Sequence, residues 1–406
     1  MALAVRQCLR WCNQSSTEMV GFRSTVQAQR RCNSRALTAM MSTITIDFFR
    51  SNGDIKAIDS RQNMTRLFSQ TMGLFHGGSP EMTMRNPPTR FRAFMQLGKP
   101  RLTALIVLST MSAYAVTPET AYETGSSLGT LLWLTVGTGL TSMSANALNM
   151  AREPVFDGMM SRTRARPIVR GLVSPRQAFI FAAFTGTFGA AALYLGVNPD
   201  VAALAVFNIF LYAGVYTSLK RTSIINTWAG AVVGAIPPLM GWSAAGGSLM
   251  DPAAWCLAGL LYAWQFPHFN ALSFPIREEY KMAGYYMTAW VNPQLNARVA
   301  LRYSLAMIPL CIGIWYFGVT DSFFVVDSTV MNIWLSTCAV QFWKECRSPI
   351  LGRGATASAR KLFWASIWQL PAVLVFSMVH KTGLWRGIFD WGDEKSEAIE
   401  ELFESE

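Results

Sequence analysis

The chain has 406 residues, of which 51% are hydrophobic and only 15% are charged. Soluble domains carry about 25% charged residues, so this composition argues against a soluble multidomain enzyme, a disordered chain and a disulfide-rich secreted module. The formal net charge is +11, but no compact basic segment interleaved with aromatic residues accompanies it, so we expect no nucleic acid partner.

The first 41 residues have the composition of a mitochondrial transit peptide. They contain six arginines among serine, alanine and glutamine, and their only acidic residue is Glu18. Mitochondrial leaders are rich in arginine and serine and poor in acids, although a basic N-terminus without a targeting role is an alternative. Residues 42–97 are polar and are interrupted by glycine and proline, which predicts a flexible arm on the matrix side.

Nine long apolar blocks follow, and they predict an all-α polytopic membrane protein. Most approach or exceed the ~18 residues that a helix needs to cross a bilayer core, at ~1.5 Å of rise per residue. A helix also satisfies its backbone hydrogen bonds within its own segment, as lipid requires. The blocks cover residues 102–116, 128–150, 178–197, 201–219, 224–244, 253–274, 299–319, 323–343 and 363–380. We therefore expect a transmembrane domain over residues 98–381, followed by an acidic tail over residues 382–406.

The connections between the blocks alternate in charge. Lysine and arginine accumulate before the first block and in every second connection after it, whereas the connections between these contain neither residue. Loops on the inner side of a membrane carry such an excess of bases. The alternation predicts an N-terminus on the inner side and a C-terminus on the outer side, and Lys381 and Arg386 are the exception. Combined with the predicted transit peptide, this gives a protein of the mitochondrial inner membrane with its N-terminus in the matrix and its C-terminus in the intermembrane space.

The second block ends in a series of polar residues. Asn149, Glu153 and Asp157 are spaced four apart, so a continuous helix would carry them on one face. Three oxygen-bearing side chains at the end of an apolar block suit a hard cation such as Mg²⁺. The arginines that follow, which include Arg162 and Arg166, suit the oxygens of a diphosphate. A solvated loop whose acids merely pair with its arginines is the alternative.

The sixth block repeats this arrangement on the same predicted side of the membrane. It contains Trp264 and His268 and passes into Glu278 and Glu279, so two acidic clusters are available to one shared pocket. An intramembrane histidine is by default a functional hypothesis. For both His268 and Trp264, packing between helices is the alternative.

A basic turn lies between the two acidic clusters. Lys220 and Arg221 follow Tyr216 there, on the same predicted side of the membrane. They offer further positive charge to phosphate oxygens. An inner-side loop that binds no ligand is the alternative.

The pattern Asn149-x₃-Glu153-x₃-Asp157, followed by Arg162-Thr163-x₂-Arg166-Pro167, resembles the first aspartate-rich motif of the UbiA superfamily of intramembrane prenyltransferases. Within that superfamily, residues 216–221, 226–228, 234–242 and 264–272 are similar to the branch that farnesylates protohaem IX, and the last segment differs from the quinone-directed branches. The resemblance covers residues 98–380. Two positions depart from the branch pattern, because Glu279 stands where aspartate is usual and Ser218 where proline is usual.

The resemblance implies a nine-helix bundle around a central cavity, in which the farnesyl group of farnesyl diphosphate passes to a vinyl group of haem B. The product would be haem O, which belongs to the synthesis of haem A for cytochrome c oxidase. The implied cofactor is Mg²⁺, held by the catalytic set Asn149, Glu153, Asp157, Glu278 and Glu279. The implied diphosphate ligands are Arg162, Arg166, Lys220, Arg221 and Lys99, and the residues expected at the haem are Trp264, Tyr216 and a catalytic His268. The expected partners are both substrates, the lipid bilayer and the next enzyme of haem A synthesis.

Two rival functions remain: a membrane haem carrier without chemistry, and a prenyltransferase that acts on an aromatic quinone precursor. Carriers place ionisable groups near the middle of the membrane between broken helices, whereas here the acids and bases gather at one face. Residues 264–272 favour haem over the quinone precursor.

Overall fold

The structure is a computed structural model that describes residues 89–118, 128–347 and 352–384. These residues all belong to one compact unit, residues 87–406. The predicted transit peptide, most of the predicted arm and most of the acidic tail lie outside the described residues. Within the described ranges the chain forms helices, and a single isolated bridge pairs Thr320 with Lys381.

The described residues form long helices with several short helices between them. In chain order they are α1 (Arg90–Leu97), α2 (Pro100–Val116), α3 (Leu128–Arg152), α4 (Pro154–Met159), α5 (Pro175–Gly196), α6 (Pro199–Phe210), α7 (Asn226–Ala244), α8 (Pro252–Ser273), α9 (Arg277–Met282), α10 (Thr288–Val291), α11 (Pro293–Tyr316), α12 (Ser322–Arg347) and α13 (Arg353–Val379). Helix α6 continues through a π segment (Leu211–Tyr216) and a last turn (Thr217–Leu219). Helix α8 continues into a 3₁₀ turn (Phe274–Ile276).

In the described ranges, each of the nine predicted apolar blocks forms a long helix, which is α2, α3, α5, the extended α6, α7, α8, α11, α12 or α13. Length and composition alone make five of them able to cross a membrane: α5, the extended α6, α11, α12 and α13. Helix α2 is shorter, at 17 residues. Helices α3, α7 and α8 include buried polar or proline residues such as Asn146, Pro237 and Asn270. Because these residues face protein, the helices tolerate a lower mean hydropathy.

Local sequence explains where many helices begin. Proline occupies the first turn of α2, α5, α6, α8 and α11, where its missing N–H removes no intrahelical bond. Ser174 and Gln177 form a capping box at the start of α5, and Asn198 and Asp251 cap α6 and α8 with their side chains. These caps satisfy N–H groups that would otherwise lack partners at each helix start.

Helix α1 differs from the predicted flexible arm. Thr89 caps it, and Ala93 and Leu97 are buried. These two residues lie four apart, so they share one helix face, and they belong to a core cluster with Ala147 and Met150 of α3. The short apolar stripe therefore folds against α3 although it follows a polar segment.

The long helices form two halves of one bundle. Helices α2, α3, α5, α6 and α7 pack on one another, and α8, α11, α12 and α13 form the second half. Helix α7 packs on both α2 and α8, and α13 contacts α2. The outward faces expose large apolar side chains, including Leu105, Phe184, Phe207 and Val330. Soluble monomers rarely expose apolar patches of this kind, so the surface suits the hydrocarbon of a bilayer.

Small residues let α3 and α5 approach closely. A Cβ added to Gly189 would lie 2.8 Å from Thr141 Cγ2, and Ser144 Oγ donates a hydrogen bond to the Ala182 carbonyl at 2.7 Å. Small and hydroxyl-bearing residues mark helix interfaces in membranes. This pairing fixes the direction in which α3 reaches its C-terminal end, where the first polar cluster lies.

Candidate active site

The first polar cluster lies at a break between helices. Helix α3 ends at Arg152 and α4 begins at Pro154, so the predicted single helix face through Asn149, Glu153 and Asp157 is wrong. The residue before a proline is disfavoured in the α conformation, and Glu153 has φ −122° and ψ 28°. The break still brings the three residues together. Asn149 Nδ2 donates to Glu153 Oε2 at 2.8 Å, and the Asp157 N–H donates to the Glu153 carbonyl at 2.9 Å.

The two carboxylates of this cluster are buried and paired with bases. Glu153 is 0% exposed and Asp157 is 3% exposed. Lys220 Nζ lies 2.7 Å from Glu153 Oε2, and Arg166 forms an ion pair with Asp157. Burial raises the pKa of Asp157, and the Arg166 guanidinium opposes that rise. The acids thus pair with bases, as the alternative of a simple loop expects, but they are buried rather than solvated.

Lys99 completes the cluster from the start of α2. Its Nζ donates to Asn149 Oδ1 and to the Tyr212 hydroxyl, each at 3.2 Å. Its backbone has φ 47°, in the left-handed region that costs energy for a residue other than glycine. Burial first, and then the positive charges of Arg166 and Lys220, hold the pKa of Lys99 well below its usual value. With Lys220 and Arg166, Lys99 gives the cluster three basic side chains against the two carboxylates Glu153 and Asp157, which suits an anionic ligand.

The donor set fits a cation that is shared with such a ligand. Glu153 Oε1 is buried and has no hydrogen-bond partner in the described part of the chain, and a cation would offset that desolvation cost. No group of three or more His, Cys, Asp and Glu side chains is placed to hold a metal among the described residues. Mg²⁺ commonly takes one or two carboxylates together with substrate phosphates and water. Glu153 and Asp157 fit as a partial ligand set that a diphosphate would complete.

The second acidic cluster meets the first through Ser161. Glu279 accepts hydrogen bonds from the Ser161 N–H at 3.0 Å and from its Oγ at 2.7 Å, and Ser161 lies four residues after Asp157. The Glu278 side chain is 71% exposed, and Arg277 Nε is 3.8 Å from it. Successive residues of a helix point ~100° apart, which explains why Glu279 reaches Ser161 whereas Glu278 faces outward.

The model of the UbiA prenyltransferase family matches residues 106–367. The chain belongs to this family. A relative from Yarrowia lipolytica, named mitochondrial protoheme IX farnesyltransferase, is 59% identical over 318 residues, which cover 77% of this chain and 66% of the relative. A relative of the same name from Debaryomyces hansenii is 54% identical over 322 residues, with coverage of 77% and 68%. The chain spans about two thirds of the length of these curated relatives.

A solved digeranylgeranylglyceryl phosphate synthase shares the fold of this UbiA prenyltransferase. The two match with a TM-score of 0.59 at 14% sequence identity, over 72% of this chain and 98% of that one. An identity this low speaks for the fold alone. The all-α, polytopic, UbiA-like fold predicted from the sequence is confirmed.

The remaining predicted phosphate ligands of the UbiA prenyltransferase lie at the exposed rim of the cluster. Arg162 and Arg221 are both exposed. The Arg221 guanidinium lies 4.7 Å from the centre of the Phe156 ring, next to Asp157 in the chain. The structure therefore brings the partly buried Lys99, Lys220 and Arg166 into the network around Glu153 and Asp157 and leaves Arg162 and Arg221 outside it.

The residues predicted at the haem lie in both halves of the bundle. His268 Nδ1 is 3.0 Å from Ser366 Oγ, and its ring stacks on Trp264 at 4.6 Å. The Trp264 indole N–H donates to the Ser366 carbonyl at 2.7 Å, so both side chains join α8 to α13 as packing residues do. Tyr216 lies in the other half, with Lys220 Nζ 4.7 Å above its ring.

Sequence reasoning missed four residues of this network: Arg152, Ser161, Tyr212 and Thr217. Tyr212 stands one turn before Tyr216, and their rings stack at 5.4 Å, so its spacing carried a usable signal. Arg152 and Ser161 lie beside motif residues. Thr217 Oγ1 accepts a hydrogen bond from Asn149 Nδ2 at 3.1 Å across 68 positions of sequence, and no local pattern indicates such a contact.

Proposed function

We propose that this UbiA prenyltransferase transfers the farnesyl group of farnesyl diphosphate to a vinyl group of haem B, which gives haem O. The observation that carries the proposal is the network in which the buried Glu153 and Asp157 meet the partly buried Lys220, Arg166 and Lys99. It combines an excess of basic side chains with a carboxylate oxygen that has no partner among the described residues. The names of relatives at 59% and 54% identity support haem B as the acceptor.

The proposed diphosphate site uses the three partly buried bases of the network. Lys220 and Arg166 would exchange their carboxylate partners for diphosphate oxygens, and Lys99 would donate from the start of α2. Arg162 and Arg221, at the exposed rim, would meet the ligand as it enters. When bound, Mg²⁺ would neutralise the charge of the diphosphate leaving group, held by Glu153, Asp157 and the amide oxygen of Asn149. Glu279 is the better placed of the two second-cluster glutamates, because it contacts Ser161 and Glu278 is exposed.

The proposed reaction breaks the bond between C1 of the farnesyl group and its diphosphate oxygen. The electron pair leaves with the diphosphate, and Lys220, Arg166 and Lys99 stabilise the charge that develops. The faces of Tyr212 and Tyr216, stacked at 5.4 Å, would stabilise the allylic cation. The vinyl π electrons of haem B then form the new carbon–carbon bond, and water adds to the resulting cation and releases a proton.

His268 is the proposed haem contact in the second half of the bundle. Ser366 Oγ holds its Nδ1 at 3.0 Å, so Nε2 is the ring nitrogen proposed to face the substrate, with Trp264 stacked beside it. The proposal places the enzyme in the mitochondrial inner membrane with the diphosphate site on the matrix side. Haem O would then pass to the next enzyme of haem A synthesis.

The test is a transfer assay with the full chain in liposomes. Labelled farnesyl diphosphate and Mg²⁺ are supplied with either haem B or an aromatic quinone precursor, and products are separated and weighed by mass spectrometry. Label in haem O supports the proposal. Label in the aromatic acceptor would replace it with the quinone-directed activity, and haem binding without any labelled product would replace it with a carrier.

A further inference from the structure

Arg152, the last residue of α3, holds the π segment of α6. We propose that Arg152 is a positioning residue: it fixes the stretch from Ala213 to Ser218, which contains Tyr216 and ends two residues before Lys220, and it thereby sets the binding of the prenyl diphosphate. This inference rests on the proposed diphosphate site, but not on haem B as the acceptor. Arg152 is not among the motif residues of the UbiA resemblance, and that resemblance gives it no role.

Arg152 bonds to a backbone carbonyl within the π segment. The Thr217 N–H bonds to the carbonyls of Tyr212 and Gly214, five and three residues earlier, and so passes over Ala213. Arg152 Nη1 donates to that Ala213 carbonyl. π segments are rare and occur frequently at functional sites, where they re-aim side chains within a helix. Arg152 thus donates to the carbonyl that the Thr217 N–H would bond in a regular α-helix.

Arg152 makes two further contacts along the same helix. Arg152 Nη1 also lies 3.3 Å from the Gly214 carbonyl, and Nη2 donates to Ser218 Oγ at 3.1 Å. Ser218 Oγ itself donates to the Gly214 carbonyl at 2.7 Å. Ser218 is one of the two positions that depart from the branch pattern, and here its hydroxyl is part of the arrangement. A guanidinium carries five N–H donors in a fixed plane, so it spans acceptors that one lysine ammonium cannot span together.

The contacts of Arg152 with the π segment matter because Lys220 has to exchange Glu153 for the diphosphate. In the structure Lys220 Nζ is bound to Glu153 Oε2, and the proposed function has it release Glu153 for the diphosphate. Arg152 binds carbonyl and hydroxyl oxygens, which the ligand does not need, so its contacts persist while those of Glu153 change. Together with the Asn149–Thr217 hydrogen bond, Arg152 therefore keeps Tyr216 and the backbone of Lys220 in place while Lys220 Nζ exchanges Glu153 for the diphosphate.

The experiment compares Arg152→Met and Arg152→Lys with the unchanged chain in liposomes. We expect Arg152→Met to raise the KM and the directly measured Kd for farnesyl diphosphate with Mg²⁺ by about tenfold, which corresponds to the loss of roughly one good hydrogen-bonded contact. The KM for haem B should stay within about twofold. Arg152→Lys should restore part of the affinity, to within about threefold of the unchanged chain. Arg176→Met, which alters an exposed arginine at the start of α5, should change neither constant.

A merely structural role gives a different pattern. If Arg152→Met lowers kcat by reducing the active fraction and leaves both KM values unchanged, the inference is overturned, as it is by an unchanged Kd for farnesyl diphosphate. Hydrogen exchange of residues 211–219 provides a readout without substrate: it should accelerate in Arg152→Met while α11 stays protected, and equal exchange would also overturn the inference. An unchanged chain that binds farnesyl diphosphate but makes no haem O would refute the proposed acceptor alone.

Discussion

Glu153 bonds through one carboxylate oxygen, Oε2, while Oε1 is buried without a partner among the described residues. Removing such a group from water costs several kcal/mol unless its interactions offset the loss. The pair with Lys220 is therefore weak evidence for stability and better evidence for function. Glu153 Oε2 positions Lys220, which can bind an anion, and Glu153 Oε1 can bind a cation. A diphosphate and its metal ion could therefore both bind next to this residue.

Asp157 should be indispensable for transfer but not for folding. Asp157→Asn keeps the shape and can still accept a hydrogen bond from Arg166, yet it removes the charge that the cation requires. We expect the initial rate of haem O formation to fall at least about a hundredfold, with little change in the thermal unfolding midpoint in detergent. Asp200→Asn, the same change at an exposed position in the first turn of α6, should leave the rate unchanged. Near-normal haem O yield from Asp157→Asn would contradict the proposed site.

The two adjacent glutamates of α9 should differ in importance. Glu279→Gln weakens the contact with Ser161 and removes a charge next to the first cluster, so the initial rate should fall about tenfold or more. Glu278→Gln alters a side chain that is 71% exposed, and its rate should stay within about threefold. The two variants serve as controls for each other in one transfer assay. A larger loss from Glu278→Gln would reverse our assignment of the second cluster.

At the scale of elements, the sequence predicts long helices well because each apolar block must bond its own backbone in lipid. It predicts interruptions poorly. Pro154 is apparent in the sequence and indicates an interruption. The sequence does not tell whether the helix ends there or only bends, and that difference decides the backbone conformation of Glu153. The π segment adds one residue to a turn without any change of composition. Contacts such as His268 with Ser366, 98 positions apart, depend on which helices become neighbours, and one sequence carries no information on that choice.

The crossing of α7 over α2 should be intolerant of added volume. A Cβ on Gly241 would lie 2.1 Å from the Thr110 carbonyl and 2.8 Å from Ala113 Cβ, and backbone atoms cannot rotate away. Gly241→Ala should lower the free energy of unfolding by about 1–3 kcal/mol, measured by denaturant titration in mixed micelles. Gly139→Ala is the matched control, because its Cβ would meet Val107 Cγ2 only at 3.9 Å. Equal stability of both variants would show that α2 and α7 are not so close.

At the scale of the whole molecule, charge is sorted to the two ends of the bundle. The partly buried Lys99 precedes α2, Lys220 follows the last turn of the extended α6, and Arg166 lies in the basic connection before α5. The opposite end is acidic: the His380 ring contacts Asp321 at 3.1 Å and Asp327 at 3.2 Å. Lys381, an exception to the charge alternation, directly follows His380 and so lies beside these acids. The proposed diphosphate site thus lies at the basic end of the bundle.

This sorting predicts the orientation of the protein in its membrane. Inner-side loops carry the bases, so Arg170 before α5 and Arg347 at the end of α12 should face the matrix, and Asp200 and Asp321 the intermembrane space. Single cysteines are placed at these positions in a chain whose native cysteines are serine.

An impermeant maleimide applied to mitochondria without their outer membrane should label Asp200→Cys and Asp321→Cys. Arg170→Cys and Arg347→Cys should react only after the inner membrane is opened, because each lies across a membrane-spanning helix from one of those aspartates. Haem O formation by each variant serves as the control for correct insertion. The reverse labelling pattern in active variants would place the diphosphate site in the intermembrane space, and labelling of all four from one side would contradict the helix count.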